Sequence, residues 1–233
     1  MAVPGTAGSI LHVDLSSGRA SVERLDDDVY LTYLGVYGLG SYLLYKMQTP
    51  GADPLGPDNI LGLLTGPLTG TPAIIGSRFV AVGKSPKTAG GWGDANSGGY
   101  FGAELKAAGW DAIFVTGAAA SPKYITIFDD RIEIKDAAHL WGQDTVDTEK
   151  TIKKDAGDKK IRIASIGPAS EKLSLISGIV NDAGRIAARS GVGAVMGAKG
   201  VKAIVLDDEG TTARAPADPE KFKAANKEWV AGL

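Results

Sequence analysis

The sequence predicts an α+β domain with mainly antiparallel sheets and short helices. Segments typical of strands outnumber those typical of helices, and several strands follow one another as hairpins, without the helical crossovers that parallel strands need. The clearest hairpin alternates apolar and polar residues over 124–128, turns at Asp129 and Asp130, and returns over 131–134. A self-similar segment in each half of the chain adds a pseudo-two-fold internal repeat to this prediction.

The elements follow from local patterns, taken in chain order. Residues 144–156 are typical of a helix, because Asp144 and Thr145 suit its start and Gly157 suits its end. Two polar segments, 94–99 and 181–186, are typical of turns. The remaining predicted elements are a hairpin over 10–25, a helix over 28–47 interrupted near 35–40, strands over 60–65, 79–82, 112–116, 161–166 and 201–206, and short helices over 101–108 and 194–198.

The internal repeat is seen when residues 101–115 are aligned without a gap onto residues 192–206. Six of these fifteen positions are identical, and all six are glycine, alanine or isoleucine. Two interpretations are open: chance similarity between two segments rich in alanine and glycine, or a true duplication. A duplication would place two glycine-rich turns around a pseudo-two-fold axis, which suits a ligand that is itself two-fold, or two copies of one ligand.

Composition excludes several kinds of function. The chain has 233 residues, a net charge of −2 and no cysteine. It therefore supplies no disulfide, no thiolate nucleophile and no thiolate ligand for an iron–sulfur cluster. The near-neutral charge argues against a nucleic-acid partner. No apolar stretch approaches the roughly 20 residues of a membrane span, so we expect no membrane partner and a cytoplasmic location.

Arginines beside the glycine-rich turns are the strongest candidates for ligand binding. Arg78 precedes a predicted strand, while Arg185 and Arg189 flank the second turn. A guanidinium next to free backbone N–H groups can hold a phosphate, whereas a single arginine of this kind is usually an ordinary surface or ion-paired residue. The three together favour an anion site. His12 and His139 are expected to be packed or surface residues rather than metal ligands.

The last segment is typical of an amphipathic helix. Asp218, Pro219 and Glu220 suit a helix start, and apolar residues then recur on one face as far as Trp229 and Val230. Two interpretations are open. Either the helix folds back onto the domain, or its apolar face belongs to a following domain or a separate subunit.

The glycine-rich segments resemble the tungsten-containing aldehyde ferredoxin oxidoreductase family. The resemblance runs from about residue 9 to residue 206. It is carried by LTGPLTGTPA (64–73), KSPKTAGGWGDANSGGYFGAELKAAGWDAIFVTG (84–117), IEIKDAAHLWGQDTVDTE (132–149), IASIGPASEKL (163–173) and NDAGRIAARSGVGAVMGAKGVKAI (181–204). It implies an α+β N-terminal domain of two related, mainly antiparallel β-sheets at the base of the cofactor site.

The resemblance also implies a cofactor and its contacts. In this family two pterins hold a tungsten or molybdenum atom through their dithiolenes, and Mg²⁺ bridges their phosphates. The positions that match the family's pterin contacts are Arg78, Gly98 and Arg185, and those that match backbone carbonyls near the Mg²⁺ are Asn96 and Ile186. Carbonyl and phosphate oxygens are ligands that Mg²⁺ prefers.

This chain departs from the family in sequence and in length. The family usually has RAAGR where residues 185–189 read RIAAR, and PAGEN where residues 168–172 read PASEK. Family members continue through two helical domains that carry the substrate channel, the acid–base residues and the cysteines of a 4Fe–4S cluster. The implied domains here are 1–210, which binds the tungstopterin, and 211–233, the start of a truncated helical domain.

The resemblance implies part of an enzyme that oxidises aldehydes to carboxylic acids, with ferredoxin as electron acceptor. The cluster and the contact with ferredoxin would lie on C-terminal domains or on a separate subunit, so the chain alone is not expected to turn over. It is then a fragment or one product of a split gene. Two alternatives stay open: a non-catalytic, stand-alone pterin-binding module, or an inactive remnant.

Overall fold

Two six-stranded sheets form the protein, whose computed structural model describes residues 3–207 and 216–232. The first sheet consists of β1 (Ile10–Asp14), β2 (Arg19–Glu23), β3 (Leu61–Thr65), β4 (Phe79–Lys84), β5 (Trp92–Ser97) and β6 (Ala112–Thr116), in the order β2-β1-β6-β3-β4-β5. The second consists of β7 (Lys123–Phe128), β8 (Arg131–Asp136), β9 (Arg162–Ser165), β10 (Ile179–Asn181), β11 (Arg185–Ala187) and β12 (Val201–Asp207), in the order β11-β10-β9-β12-β7-β8.

The two sheets repeat one topology. Reading the second sheet from its β8 edge gives β8-β7-β12-β9-β10-β11, which matches the first sheet strand for strand. In each sheet the first and last strands of the repeat, β1 with β6 and β7 with β12, are parallel neighbours, and the other neighbours are antiparallel. The predicted α+β fold with two related, mainly antiparallel sheets is therefore confirmed. The internal repeat consists of the same strand order and strand directions in both sheets.

Helices lie between the sheets and on their outer faces. The described residues form α1 (Asp27–Tyr33), α2 (Val36–Met47), α3 (Phe101–Ala107), α4 (Thr145–Ala156), α5 (Pro168–Glu171), α6 (Val192–Ala198) and α7 (Pro219–Ala231). Helices α3 and α6 share the central core with the facing sides of both sheets. Helices α1 and α2 cover the outer face of the first sheet, and α4 covers that of the second.

The predicted interruption of the N-terminal helical region is present, but it is confined to the beginning of the predicted range. The break lies at Leu34 and Gly35, while α2 runs without interruption through Gly38 and Gly40. A Cβ on Gly35 would lie 2.9 Å from the carbonyl oxygen of Thr65. Gly35 therefore lies at the break and allows a close approach to Thr65, whereas Gly38 and Gly40 do not end the helix.

Both segments predicted as turns contain strands, which corrects that prediction in part, since residues 182–184 do form a turn. Residues 92–97 form β5, and residues 181–186 hold the end of β10, a three-residue turn and the start of β11. Glycine, asparagine and aspartate are poor strand formers. These short strands exist because β4 and β9 provide paired neighbours, a long-range effect that a local pattern does not contain.

The predicted helix ends are confirmed in α4 and α7. The Asp144 side chain accepts a hydrogen bond from the Asp147 N–H at 2.8 Å, and Gly157 ends α4 with φ of 69°. Asp218 likewise accepts a hydrogen bond from the Lys221 N–H at 3.0 Å at the start of α7. None of the helices in the described ranges is both long and apolar enough to cross a membrane.

Helix α7 contacts the rest of the domain without burying its apolar face. The Asn226 side chain donates a hydrogen bond to the carbonyl oxygen of Pro72 at 3.0 Å, and Trp229 and Val230 stay about half exposed. An apolar face packed on the domain is therefore not observed among the described residues. The expected domain boundary at 210/211 lies outside the described residues.

Candidate functional site

The two terminal strands β5 and β11 meet at one edge of the molecule. Asn96 in β5 pairs with Val80, the second residue of β4, and Ile186 in β11 pairs with Val180, the second residue of β10. Asn96 and Ile186 therefore hold corresponding positions in the two repeats. The structure brings together two residues that are 90 positions apart in the sequence.

Both residues face outward from the core. The neighbouring Ser97 and Ala187 are buried, whereas Asn96 and Ile186 are exposed. Terminal strands also leave the backbone groups on their free side without a partner in the sheet. This edge thus carries peptide oxygens of two corresponding strands, and such oxygens are hard ligands for a cation.

A cavity of about 270 Å³ lies beside this edge. Its lining residues are Ile75, Ser77, Arg78, Gly98, Gly99, Tyr100 and Arg185. A Cβ added to Gly98 would lie 3.4 Å from Nη1 of Arg78 and 3.5 Å from Nη1 of Arg185. The absence of a side chain at Gly98 therefore leaves space in front of two guanidinium groups.

Asn96 orients one of these guanidinium groups. The Nε and Nη2 atoms of Arg78 both donate to Oδ1 of Asn96, the first at 2.8 Å. The Nδ2 atom of Asn96 in turn donates to the hydroxyl of Tyr37 at 2.8 Å. These bonds leave Nη1 of Arg78 directed towards Gly98. The side-chain role of Asn96 and the contribution of Tyr37 were not predicted from the sequence.

The turn between β10 and β11 is tied to the segment that leads into α3. Nδ2 of Asn181 donates to the carbonyl oxygen of Gly98 at 2.8 Å, and its Oδ1 accepts from the Ser97 hydroxyl at 2.7 Å. Oδ2 of Asp182 accepts from the N–H of Tyr100 at 2.7 Å. The sequence marked Asn181 and Asp182 only as turn-prone, because their partners lie more than 80 positions away.

Arg162 is a third guanidinium near the cavity. Its guanidinium carbon lies 4.6 Å from the ring centre of Tyr100, and Nη1 lies 3.9 Å from Oδ1 of Asp182. Nothing in the local sequence singled it out, since it lies within a predicted strand. Arg78, Arg162 and Arg185 outnumber the one carboxylate of Asp182 among these residues, so the local charge favours an anion.

The other candidates from the sequence lie elsewhere. Arg189 is exposed, with φ of 80°, and does not line the cavity. His12 pairs with Glu23 at 2.8 Å on the β1–β2 hairpin. His139 lies 3.4 Å from Asp155 on the outer side of the second sheet.

Comparison with known protein families gives one match over most of the chain. Residues 10–208 match the family described as "Aldehyde ferredoxin oxidoreductase, N-terminal domain". Two tungsten-containing aldehyde ferredoxin oxidoreductases, from Thermococcus kodakarensis and Pyrococcus furiosus, are 51% and 50% identical to the chain over 226 residues. These alignments cover 97% of this chain and 37% of each relative, so the chain spans little more than a third of their length.

A solved structure shares the fold. The active-site complex BamBC of benzoyl coenzyme A reductase, in complex with 1,5-dienoyl-CoA, superimposes with a TM-score of 0.93 at 33% identity. The match covers 97% of this chain and 34% of that one.

Proposed function

The chain belongs to the family of the aldehyde ferredoxin oxidoreductase N-terminal domain, and on this premise we propose that it holds a bis-pterin tungsten or molybdenum cofactor in an aldehyde-oxidising enzyme. The observation that carries the proposal is the meeting of corresponding positions, Asn96 and Ile186, beside the guanidinium groups of Arg78 and Arg185. The residues present therefore fit a two-fold ligand with phosphate groups.

The two arginines would hold the phosphate region of the pterins. A guanidinium group binds a phosphate through parallel N–H donors, and this geometry adds both energy and orientation. The open space at Gly98 allows a phosphate oxygen to approach Nη1 of Arg78 and of Arg185. Asn96 supports this role by holding the other two donors of Arg78.

Backbone carbonyls of Asn96 and Ile186 would contribute to a Mg²⁺ site between the phosphates. Because the two positions correspond in the repeats, they suit a metal that bridges two equal halves of a ligand. Isoleucine in place of the family's usual alanine is compatible with this role. The Ile186 side chain is about half exposed and leaves the pairing of β11 with β10 intact.

When bound, the cofactor supplies the metal at which an aldehyde is oxidised to a carboxylic acid and from which electrons leave towards ferredoxin. This chain would contribute binding, orientation and positive charge, which is the usual share of a protein in cofactor chemistry. The rest of the enzyme would supply the substrate channel, the acid–base residues and the thiolates of a 4Fe–4S cluster, since this chain has no cysteine. We place the complete enzyme in the cytoplasm.

Sequence similarity, rather than the geometry of the site, supports an aldehyde as the substrate. The two aldehyde ferredoxin oxidoreductases are about half identical to this chain, whereas the benzoyl coenzyme A reductase is 33% identical. Since the named substrates of these proteins differ while the fold of this domain is shared, substrate selection would lie mostly outside the domain.

Tungsten, molybdenum and pterin analysis tests the proposal. The chain is produced alone and together with the remaining part of the enzyme, in a host supplied with both metals. We expect two pterins per metal in the complex and their loss in Arg78→Ala and Arg185→Ala. Arg19→Ala is the control, because Arg19 lies in β2 at the opposite edge of the same sheet.

Three outcomes are distinguished. Metal and pterin in the complex, with oxidation of aldehydes by ferredoxin, would support the full proposal. Pterin without activity in any preparation would indicate a stand-alone binding module. Absence of both metal and pterin would indicate a remnant and remove the assignments of Arg78, Asn96, Gly98, Arg185 and Ile186.

A further inference from the structure

A carboxylate lies within the arginine-lined site, at Asp182. Its Oδ2 lies so close to Gly99 that no side chain could be added there, and Gly99 lines the cavity. A negative charge beside the cavity opposes the binding of an anion there. The proposed phosphate contacts therefore do not explain Asp182, and its own contacts indicate a different role.

The contacts of Asp182 join the two repeats. Oδ2 accepts hydrogen bonds from the N–H groups of Tyr100 and Phe101, at 2.7 and 3.2 Å. Both donors are at the start of α3 in the first repeat, whereas Asp182 belongs to the β10–β11 turn of the second. Oδ2 also accepts from Nδ2 of Asn181 at 2.7 Å, and the same amide group donates to the Gly98 carbonyl oxygen.

The same turn carries Arg185. Asn181 and Arg185 pair across the hairpin and close the turn. Asp182 and Ala183 both have positive φ, 47° and 58°, which directs the chain sharply back. The Cδ atom of Arg185 would lie 2.9 Å from a Cβ on Gly99, so the arginine side chain crosses the first repeat at this point.

We propose that Asp182 is a positioning residue that holds the Arg185-bearing turn against the segment 98–101 and thereby fixes the Arg185 guanidinium opposite that of Arg78. This inference rests on the proposed function, because it assigns to Asp182 the geometry of the same anion site. The carboxylate acts through Arg185 and does not itself touch the anion.

The proposal predicts the direction in which anion affinity changes when the Asp182 carboxylate is removed. If Asp182 had no positioning role, removing its negative charge would tighten anion binding, since Arg78 and Arg185 would then line the cavity without a nearby carboxylate. If Asp182 positions Arg185, its removal weakens anion binding although the site becomes more positive. The two effects have opposite directions, so one titration separates them.

Pyrophosphate is the probe, titrated calorimetrically into the 233-residue chain at fixed ionic strength. We expect Asp182→Ala to weaken binding about tenfold, comparable with Arg78→Ala, since the variant loses a charged acceptor at two backbone donors. Asp182→Asn should stay within about threefold of the unsubstituted chain, because its amide oxygen still accepts from the Tyr100 N–H and asparagine tolerates positive φ.

Asp144→Ala is the matched control. Asp144 also caps a helix in the second repeat through its carboxylate, but its partner Asp147 lies in the same helix. Its removal should lower the stability to a similar degree and leave pyrophosphate affinity unchanged. A second measurement is amide hydrogen exchange, in which Tyr100 and Phe101 should exchange faster in Asp182→Ala than in Asp144→Ala.

The outcomes separate this inference from the proposed function. Binding that Arg78→Ala weakens but Asp182→Ala leaves unchanged or tightens would overturn the positioning role alone. Unaltered exchange at Tyr100 and Phe101 in Asp182→Ala would overturn it as well. No pyrophosphate binding by the unsubstituted chain would overturn the proposed anion site, and the positioning role with it.

Discussion

Alanine substitutions at the adjacent Gly98 and Gly99 of the candidate site should differ in their effect on the stability of the fold. A Cβ on Gly98 would meet only the two arginine Nη1 atoms, at 3.4 and 3.5 Å, and these are the ends of flexible side chains. We expect Gly98→Ala to change the free energy of unfolding by less than about 1 kcal/mol. The methyl group would nevertheless occupy the space between the guanidinium groups.

Gly99→Ala should instead unfold more easily. Gly99 has φ of 98°, a conformation that costs a residue with a side chain about 1–2 kcal/mol. Its Cβ would also overlap Oδ2 of Asp182 and force that carboxylate away from the N–H groups of Tyr100 and Phe101. Leaving the N–H of Phe101, a buried residue, without a partner costs about 1–3 kcal/mol, so the two terms together predict a loss of about 2–5 kcal/mol.

Urea unfolding and pyrophosphate titration of the two variants test this reasoning together. For Gly98→Ala we expect an almost unchanged midpoint and at least about tenfold weaker pyrophosphate binding, because two charge-assisted hydrogen bonds are obstructed. A large loss of stability in Gly98→Ala would refute the open space at that position. Unchanged affinity in a stable Gly98→Ala chain would refute an anion held between Arg78 and Arg185.

Three further predictions concern stability and are measured by urea unfolding. Asp111→Ala should cost about 3–5 kcal/mol, because it leaves the Lys106 ammonium group, buried like its partner, without that carboxylate; a loss below about 1 kcal/mol would contradict this. Burial lowers the pKa of Lys199 to about 8 from 10.5, so the folded state binds fewer protons than the unfolded state between these values. The free energy of unfolding should therefore rise by roughly 3 kcal/mol from pH 8 to 10.5, relative to Lys199→Met. Plots of the free energy of unfolding against pH that run parallel for the two chains would refute this. Ile75 lines the cavity, has φ of 64° and is 67% exposed. Because glycine adopts this φ without strain, Ile75→Gly should raise the free energy of unfolding by roughly 0.5–1 kcal/mol. A lower free energy of unfolding would show that the Ile75 side chain stabilises the fold.

Local patterns were sufficient to predict the elements that stabilise themselves through near neighbours. The 124–134 hairpin alternates along its own strands, and α4 is capped by Asp144 and Gly157 within its own segment. Strand β5 was missed because its glycine, asparagine and aspartate are poor strand formers, and β11 because it has only three residues; both depend on pairing, with β4 and β10 respectively. Their sequences carry the residues of the site, which explains why they are atypical strands.

The candidate site could be predicted only in part for a related reason. The family resemblance supplied Arg78, Gly98 and Arg185, and the structure gathers all three around one cavity. Asp182 and Arg162 were not predicted, because a hydrogen bond to Tyr100 and a stacking contact with its ring depend on how the two repeats face each other. Such contacts have no signature in a single sequence.

The two repeats agree in backbone and differ in side chains, and this difference bears on how a two-fold ligand would be held. At one corresponding position the first repeat has Asp111, paired with Lys106, and the second has Lys202, paired with Glu171. The sign of the buried charge is thus reversed while the strands keep the same order.

The same holds at the edge where the repeats meet. Asn96 and Ile186 correspond in register but share no side-chain chemistry, since one is an amide and the other a hydrocarbon. Groups that are equivalent in both repeats at this edge are therefore those of the backbone. A metal that bridges two equal halves of a ligand would find matching donors here in peptide carbonyls, which favours backbone ligation over side-chain ligation.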